Sequence, residues 1–384
     1  ADLHDDAPDG PQPVPDILFA IIHNGLLLSN SGRICRVLLF SRAGAGKQEV
    51  FAKRGGRAKK GEIWGRVFRM KGVVKNERVI MSAPGTLMLM GEHAVLRGAP
   101  ALACAVNQRI QVDVQCREDG RLRVESALGC YEESADCFAP PLSLRFAGTV
   151  MARYARAVPQ GFTVRIESSF SSTVGLGSSA AVTTALIGAL RRLLGRDFSG
   201  GTVFDEGFGV IREVQGSGSG TDVAAAVLGG VVRYRMTPRV MEKLSADFPL
   251  LLVYCGYKTP TPEVIQVVEE ARAREPERFA ALDEGIRICV EEGWAALQQG
   301  DYKKFGRLMN EHQALQVGLG VSTAELDEII SCMRLLPGIL GAKISGSGLG
   351  DCALGLGAAE WPLTNYEAIP VQLSTEGLRL EYYE

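Results

Sequence analysis

The chain carries no C-x-x-C pair, its nine cysteines being scattered between Cys35 and Cys352. Neither a zinc knuckle nor a disulfide framework is suggested, and reduced thiols are expected. Positive charge is not in excess either. With 42 Lys and Arg against 44 Asp and Glu, a formal charge of -2 and a pI near 6.2, no global basic field exists for nonspecific nucleic-acid binding, and no nucleic acid is expected as partner. Long apolar runs are lacking too: the first sixteen residues hold five Asp, and residues 17–28 are short and interrupted by His23 and Asn24. No signal peptide and no membrane span are therefore expected, and the chain is expected to be cytoplasmic. What is present is 384 residues, 46% hydrophobic and 22% charged, the makeup of a globular protein with a large core and two or three packed units.

The first eighty residues differ from the rest. Pro and Asp crowd residues 1–16, and residues 42–78 hold twelve Lys and Arg against three Asp and Glu with little periodicity, which reads as a solvated arm. Within it Gly44-Ala45-Gly46-Lys47 resembles the end of a P-loop, but Gln48 stands where Ser or Thr belongs and the glycine spacing fails. Residues 1–77 are read as an extension that does no chemistry, with a basic docking arm for an acidic partner as the other reading. From Arg78 onward short β-like runs at residues 78–81 and 110–115 alternate with helix-like stretches at 179–194, 262–274 and 322–335, and residues 249–255 and 338–344 read as buried strands. An α+β architecture follows, and the turn-rich, charged stretch at 240–247 suggests domains at 78–240 and 241–384.

Three segments carry chemistry. Gly175-Leu176-Gly177-Ser178-Ser179-Ala180-Ala181 leads directly into a helix. Glycines let backbone amides approach an anion, and a helix N-terminus adds unpaired N–H groups and partial positive charge, so phosphate would sit well there; an ordinary helix start explains the same residues. Near the start of the orderly region, Ser82-Ala83-Pro84-Gly85 reads as a strand end before Gly91-Glu92-His93-Ala94-Val95. Near the end, Lys343 precedes Gly346-Ser347-Gly348 between two strands, a loop able to press its backbone on a ligand.

In this order, and spread over about 270 residues of the chain, the three segments resemble the three motifs of the GHMP kinases. Within that superfamily Gly91-Glu92-His93-Ala94-Val95 and Ser219-Gly220-Thr221-Asp222 are most similar to the mevalonate kinases, while residues 215–226 are also similar to phosphomevalonate kinases. The resemblance implies an N-terminal domain like ribosomal protein S5 domain 2, a ferredoxin-like C-terminal domain, and a cleft for ATP, Mg²⁺ and a small-molecule substrate. It implies that Asp222 takes or orients the acceptor hydroxyl proton, that Ser179 ligates Mg²⁺, that Gly175, Leu176, Gly177, Ser178 and Ala180 wrap the triphosphate, that Gly346, Ser347 and Gly348 close over it, and that Glu92 and His93 face the acceptor. A helix N-cap role for Asp222 and a core role for His93 are the plainer readings.

Two positions depart from the motifs. Thr86 stands where the family usually has Lys, and Ile211 stands where it places the acidic Mg²⁺ ligand eleven residues before the Asp. Glu213 is the nearest carboxylate, although two residues on a helix turn a side chain by about 200°; Glu206 and Asp205 are the other choices. Lys258, at a strand end in Tyr257-Lys258-Thr259-Pro260-Thr261, is expected to supply the missing cation, and Thr259 and Thr261 to contact acceptor or phosphate; a solvated lysine and a proline-flanked turn are the ordinary explanations. The function expected is ATP-dependent phosphorylation of mevalonate to 5-phosphomevalonate. Phosphomevalonate, a sugar acceptor, or a metabolite-binding protein of the same fold without turnover are the alternatives. The sequence leaves open whether the chain forms a homodimer.

Overall fold

The computed structural model describes strand residues 27–31, 34–39 and 48–51 and all of residues 77–384. The chain divides into two units, Ala1–Val73 and Val74–Glu384. In the first, β1 (Leu27–Ser31), β2 (Ile34–Leu39) and β3 (Gln48–Phe51) form an antiparallel sheet. Gly44-Ala45-Gly46-Lys47 and most of the basic stretch lie outside the described residues.

The second unit grows from two long strands, β4 (Arg78–Met90) and β5 (Ala101–Cys116), paired antiparallel along most of their length. Sequence reading ended the first strand at Pro84-Gly85; the strand instead runs on, and its register with β5 slips between Pro84 and Thr86. Proline has no N–H to give a ladder, so it is tolerated where pairing is already interrupted. The slip inverts which residues face which side. Before it, Val79, Met81 and Ala83 point into the core beneath the first group of helices; after it Met88 does so, and Leu87 and Leu89 enter the second core. A side-chain period of two makes any one-residue slip do this, and here it lets one strand belong to both cores.

Around this pair stand β6 (Arg121–Ser126), β7 (Gly129–Ser134), β8 (Gly161–Ser168), β9 (Val231–Arg235) and β10 (Val240–Leu244), in the order β10-β9-β5-β8-β6-β7. The last strand, β15 (Arg379–Tyr383), returns to pair with the outer edge of β4. Helices α1 (Arg145–Tyr154), α2 (Ser178–Leu193), α3 (Gly200–Gln215) and α4 (Thr221–Leu228) cover one face. The second sheet has the order β12-β13-β11-β14, from β11 (Leu250–Tyr254), β12 (Gly341–Ser345), β13 (Cys352–Leu356) and β14 (Glu367–Ile369). It packs with α5 (Thr261–Arg274), α6 (Pro276–Gln298), α7 (Tyr302–Leu319) and α8 (Ala324–Leu335). The chain passes from one sheet to the other between Leu244 and Leu250, and β15 crosses back. A cut at 240/241 falls after the first residue of β10, which pairs with β9, and leaves β15 on the other side of the cut from its partner β4.

Strand β12 is the edge of its sheet, and α7 covers that edge. The backbone N–H of Ala342 donates to Asn310 Oδ1 at 3.0 Å and that of Ile344 to Gln313 Oε1 at 2.8 Å, which satisfies amides that an open edge would leave free. The approach needs Gly306, where a Cβ would stand 2.5 Å from the Leu340 carbonyl oxygen. All eight described cysteines are free thiols, and no helix among the described residues is long and apolar enough to cross a membrane. Gly306→Val is expected to destabilise the fold by about 2 kcal/mol or more through overpacking, read as a lower urea midpoint at unchanged slope.

Candidate active site

Helix α2 opens at Ser178 behind Gly177, whose φ of 61° is left-handed, and no side chain caps the helix. Its first-turn amides are thus left for an external anion. A side chain at Gly177 would collide with Thr86 Oγ1, and one at Gly175 would land on the Asp351 carboxylate; the Thr86 N–H also donates to the Leu176 carbonyl at 3.0 Å. The turn is wedged between β4 and the loop after β12. Gly175, Gly177, Ser178, Ser179 and Ala180 line an open cleft, as do Gly346 and Ser347 opposite. Two expected lining residues do not face it. Leu176 is fully buried in the second core, because alternate residues of a tight turn point opposite ways. Gly348 packs instead on Val321, where a Cβ would stand 2.5 Å from the carbonyl oxygen.

Asp222 lies in the first turn of α4, across the cleft from α2. Gly220, not Asp222, is the N-cap, so the carboxylate is spared for other work. Its Oδ1 accepts from Thr86 Oγ1 at 2.9 Å. Burial pushes its pKa up, while the Thr86 hydrogen bond and the charge of Lys258 pull it down; the net direction is upward. The slip at Pro84 is what aims Thr86 at Asp222, since Thr86 shares the side of β4 that carries Met88, also in the cleft wall.

Glu92 and His93 both line the cleft, and both tie the sheets together. Glu92 Oε1 accepts from the fully buried Lys343 of β12 at 2.6 Å and from the Gly346 N–H at 3.4 Å. Burial alone would raise the Glu92 pKa, and the charge of Lys343 and its hydrogen bond reverse that, holding it below the ordinary value. Burial likewise lowers Lys343 against the pull of Glu92. His93 sits at φ 63°, a cost rarely accepted by a non-glycine residue outside functional positions. Its Nε2 donates to the Ser347 carbonyl at 2.8 Å, and burial depresses its pKa, so it acts as a neutral donor. Behind them His312 Nε2 accepts from the Gly91 N–H at 2.9 Å, and burial lowers its pKa to about 4.

Other expectations are corrected. Glu213 lies outside the cleft, exposed and paired with Arg153; α3 turns Ile211 and Gln215 inward instead. Glu206 is bound to Tyr154 and Arg191, and Asp205 to Arg239. Thr259 spends its hydroxyl on the Leu349 carbonyl at 2.5 Å, so Thr261 rather than Thr259 reaches the cleft wall. Lys258 does reach it, with Nζ 2.8 Å from Asp351 Oδ2. Sequence reading missed Asp351 and the hydrogen-bonded role of Thr86. The one signal for the first was a carboxylate three residues after Gly348 in sequence; for the second it was the motif position of Thr86, which the family resemblance sets close to the catalytic Asp although the two lie 136 residues apart.

An uncapped helix start rich in glycine and serine, faced by a shielded carboxylate in an open cleft, is the apparatus of a phosphotransferase. Residues 144–230 match the GHMP kinases N terminal domain, 295–360 the GHMP kinases C terminal domain, and 71–115 the galactokinase galactose-binding signature. The chain is 31% identical over 340 residues to the mevalonate kinase of Thermococcus gammatolerans, covering 79% of this chain and 98% of that one. It is also similar to L. major mevalonate kinase in complex with R-mevalonate, at 26% identity and a TM-score of 0.64 over 76% of this chain and 90% of that one. Lactococcus lactis galactokinase complexed with galactose shares the fold, with a TM-score of 0.68 at 18% identity, over 83% and 98% of the two chains. The chain belongs to the GHMP kinases, and within them it is similar to mevalonate kinases over nearly their whole length.

Thr86→Val removes a hydrogen bond that favours the charged form of Asp222, so the folded pKa of that carboxylate rises further. If Asp222 must be ionised to work, the acid limb of the kcat/KM profile is expected to move to higher pH than in the wild type. A pH–rate profile that stays in place separates Thr86 from the titration of Asp222.

Proposed function

We propose that this kinase transfers the γ-phosphoryl group of ATP to the primary hydroxyl of mevalonate, giving 5-phosphomevalonate. The observation that carries the reading is the match over nearly the whole length of mevalonate kinases, together with a cleft lined by the glycine-bearing residues 175, 177–180 and 346–347 and by Asp222. A sugar acceptor is the second reading, favoured by the galactokinase signature over residues 71–115.

In this reading the amides at the start of α2 hold the phosphates, and Gly346 and Ser347 approach them from the second sheet. The acceptor oxygen bonds to the γ-phosphorus, the bond from that phosphorus to the β–γ bridging oxygen breaks, and the hydroxyl proton passes to Asp222. A raised pKa makes that carboxylate a better proton acceptor than an exposed one, and Thr86 keeps it turned into the cleft. His93, locked to Ser347, fixes the glycine loop while presenting its ring to the cleft. Mg²⁺ would be held by the Ser179 hydroxyl and the Asp222 carboxylate with the phosphates: the lining offers hard oxygen donors without a thiolate, and no cluster of three His, Cys, Asp or Glu occurs among the described residues. Such a sparse set suits a cation that keeps waters and binds mainly through phosphate. The metal supplies charge neutralisation at the transferred group.

ADP release from the full chain with ATP and Mg²⁺ is expected with mevalonate, and not with phosphomevalonate or galactose. Release with galactose alone would replace the acceptor and favour the second reading; ATP binding with no release on any acceptor would mean a binding protein. Asp222→Asn is expected to lower kcat by about 10²- to 10⁴-fold while ATP affinity, read by calorimetry, stays close to wild type.

A further inference from the structure

The cleft has an unusual charge balance for a site that handles a triphosphate. Glu92, Asp222 and Asp351 all line it, and among the described lining residues Lys258 is the one Lys or Arg. Glu92 is already neutralised by Lys343. Phosphoryl transfer gathers negative charge on the transferred oxygens, and a desolvated cation beside them is worth far more than the same charge in water. Thr86 offers only a hydroxyl, and that hydroxyl is given to Asp222.

Lys258 is built into its position. Segment 255–259, which follows β11, is stitched to residues 349–351: the Cys255 N–H donates to the Asp351 carbonyl at 2.9 Å, the Asp351 N–H to the Tyr257 carbonyl at 2.7 Å, and Thr259 Oγ1 to the Leu349 carbonyl. The same Asp351 that accepts from Lys258 lies against Gly175 at the phosphate-facing turn and adopts a left-handed φ of 73°. Asp351 Oδ1 is buried with no hydrogen-bond partner among the described residues, so Lys258 is the counter-ion on which the carboxylate depends. An ammonium carries three donors, and one bond to Asp351 leaves two. The Lys258 side chain is 35% exposed, open to the cleft between Asp351 and Asp222, whose charge it also feels.

We infer that Lys258 is the phosphate-facing cation of this kinase, tethered by Asp351 so that its remaining N–H groups meet the oxygens of the transferred phosphoryl group. A second-sheet lysine thereby takes up charge compensation that β4 does not provide. The inference rests on the kinase reading above, with Asp351 as a positioning residue and Lys258 as a catalytic one.

The test is steady-state kinetics on the full chain together with calorimetry of adenosine and of ATP. Lys258→Met is expected to lower kcat by about 10²- to 10³-fold, to weaken ATP binding, and to leave adenosine binding unchanged, because adenosine carries no phosphate. Lys258→Arg is expected to recover part of the loss. Asp351→Asn keeps an oxygen facing Nζ and should stay within about tenfold of wild type; the double variant Lys258→Met/Asp351→Asn, which leaves no buried carboxylate unpaired, should match Lys258→Met. Wild-type turnover in Lys258→Met, equal loss in Asp351→Asn and Lys258→Met, or adenosine binding that falls in step with ATP binding would each overturn the inference by making the pair dispensable or merely structural. A wild-type protein that releases no ADP with any acceptor would instead strike the kinase reading itself.

Discussion

The buried pair of Glu92 and Lys343 is the interaction on which the cleft depends. Glu92 follows β4 and Lys343 lies within β12, so the 2.6 Å contact joins the two sheets at the floor of the site. Both groups are withdrawn from water. Two charges moved out of water recover their hydration only from each other, and removing one partner alone typically costs about 3–5 kcal/mol. Apolar packing between the sheets would hold them together without fixing their offset; a directional charged contact fixes it. From that offset follow the Gly346 amide over Glu92 Oε1 and the His93 bond to Ser347, which bring the glycine loop of the second sheet over the helix start of the first. His312 buttresses the arrangement as a neutral acceptor for the Gly91 N–H.

Within that frame the two faces of the cleft are specialised by what they lack. Both helix starts lie behind a left-handed glycine and lack a side-chain cap, but α2 carries no carboxylate in its first turn and presents free amides, while α4 carries Asp222 there. Gly177 and Thr86 are complementary in this respect. Only a residue without a Cβ leaves room for the Thr86 hydroxyl, and only with that hydroxyl in place does Asp222 have a donor within the cleft wall. One steric condition thus serves phosphate binding and acid–base chemistry together.

The parts of this plan legible in sequence are those whose causes are local. The glycine–serine run of residues 175–181 announced a helix start because backbone freedom and capping are decided within a few residues, and α5 showed its start through Pro262. The kinase assignment was legible because three such runs occur in a fixed order. What escaped depends on distant partners. The continuation of β4 past Pro84 needs β5 to tolerate the slip, the return of β15 to β4 spans nearly three hundred residues, and the lock of Thr259 onto Leu349 is invisible without the fold.

Helix α3 shows why chemical type and proximity in sequence do not suffice to place a ligand. Ile211 and Gln215 are four residues apart, close to one turn, and both face the cleft. Glu213 lies between them, about 200° around the axis, and its carboxylate meets Arg153 on the outer surface. Keeping Ile211 inward constrains this face twice over: its side chain is buried in the core under the helices and also presses on Gly218 in the turn before α4. Rotating the helix to bring Glu213 inward would expose that apolar side chain and loosen the turn that carries Asp222. The helix is therefore held by packing in an orientation that offers no carboxylate, and the charge chemistry of the cleft falls to residues outside it, Asp222 on α4 and the Lys258–Asp351 pair of the second sheet.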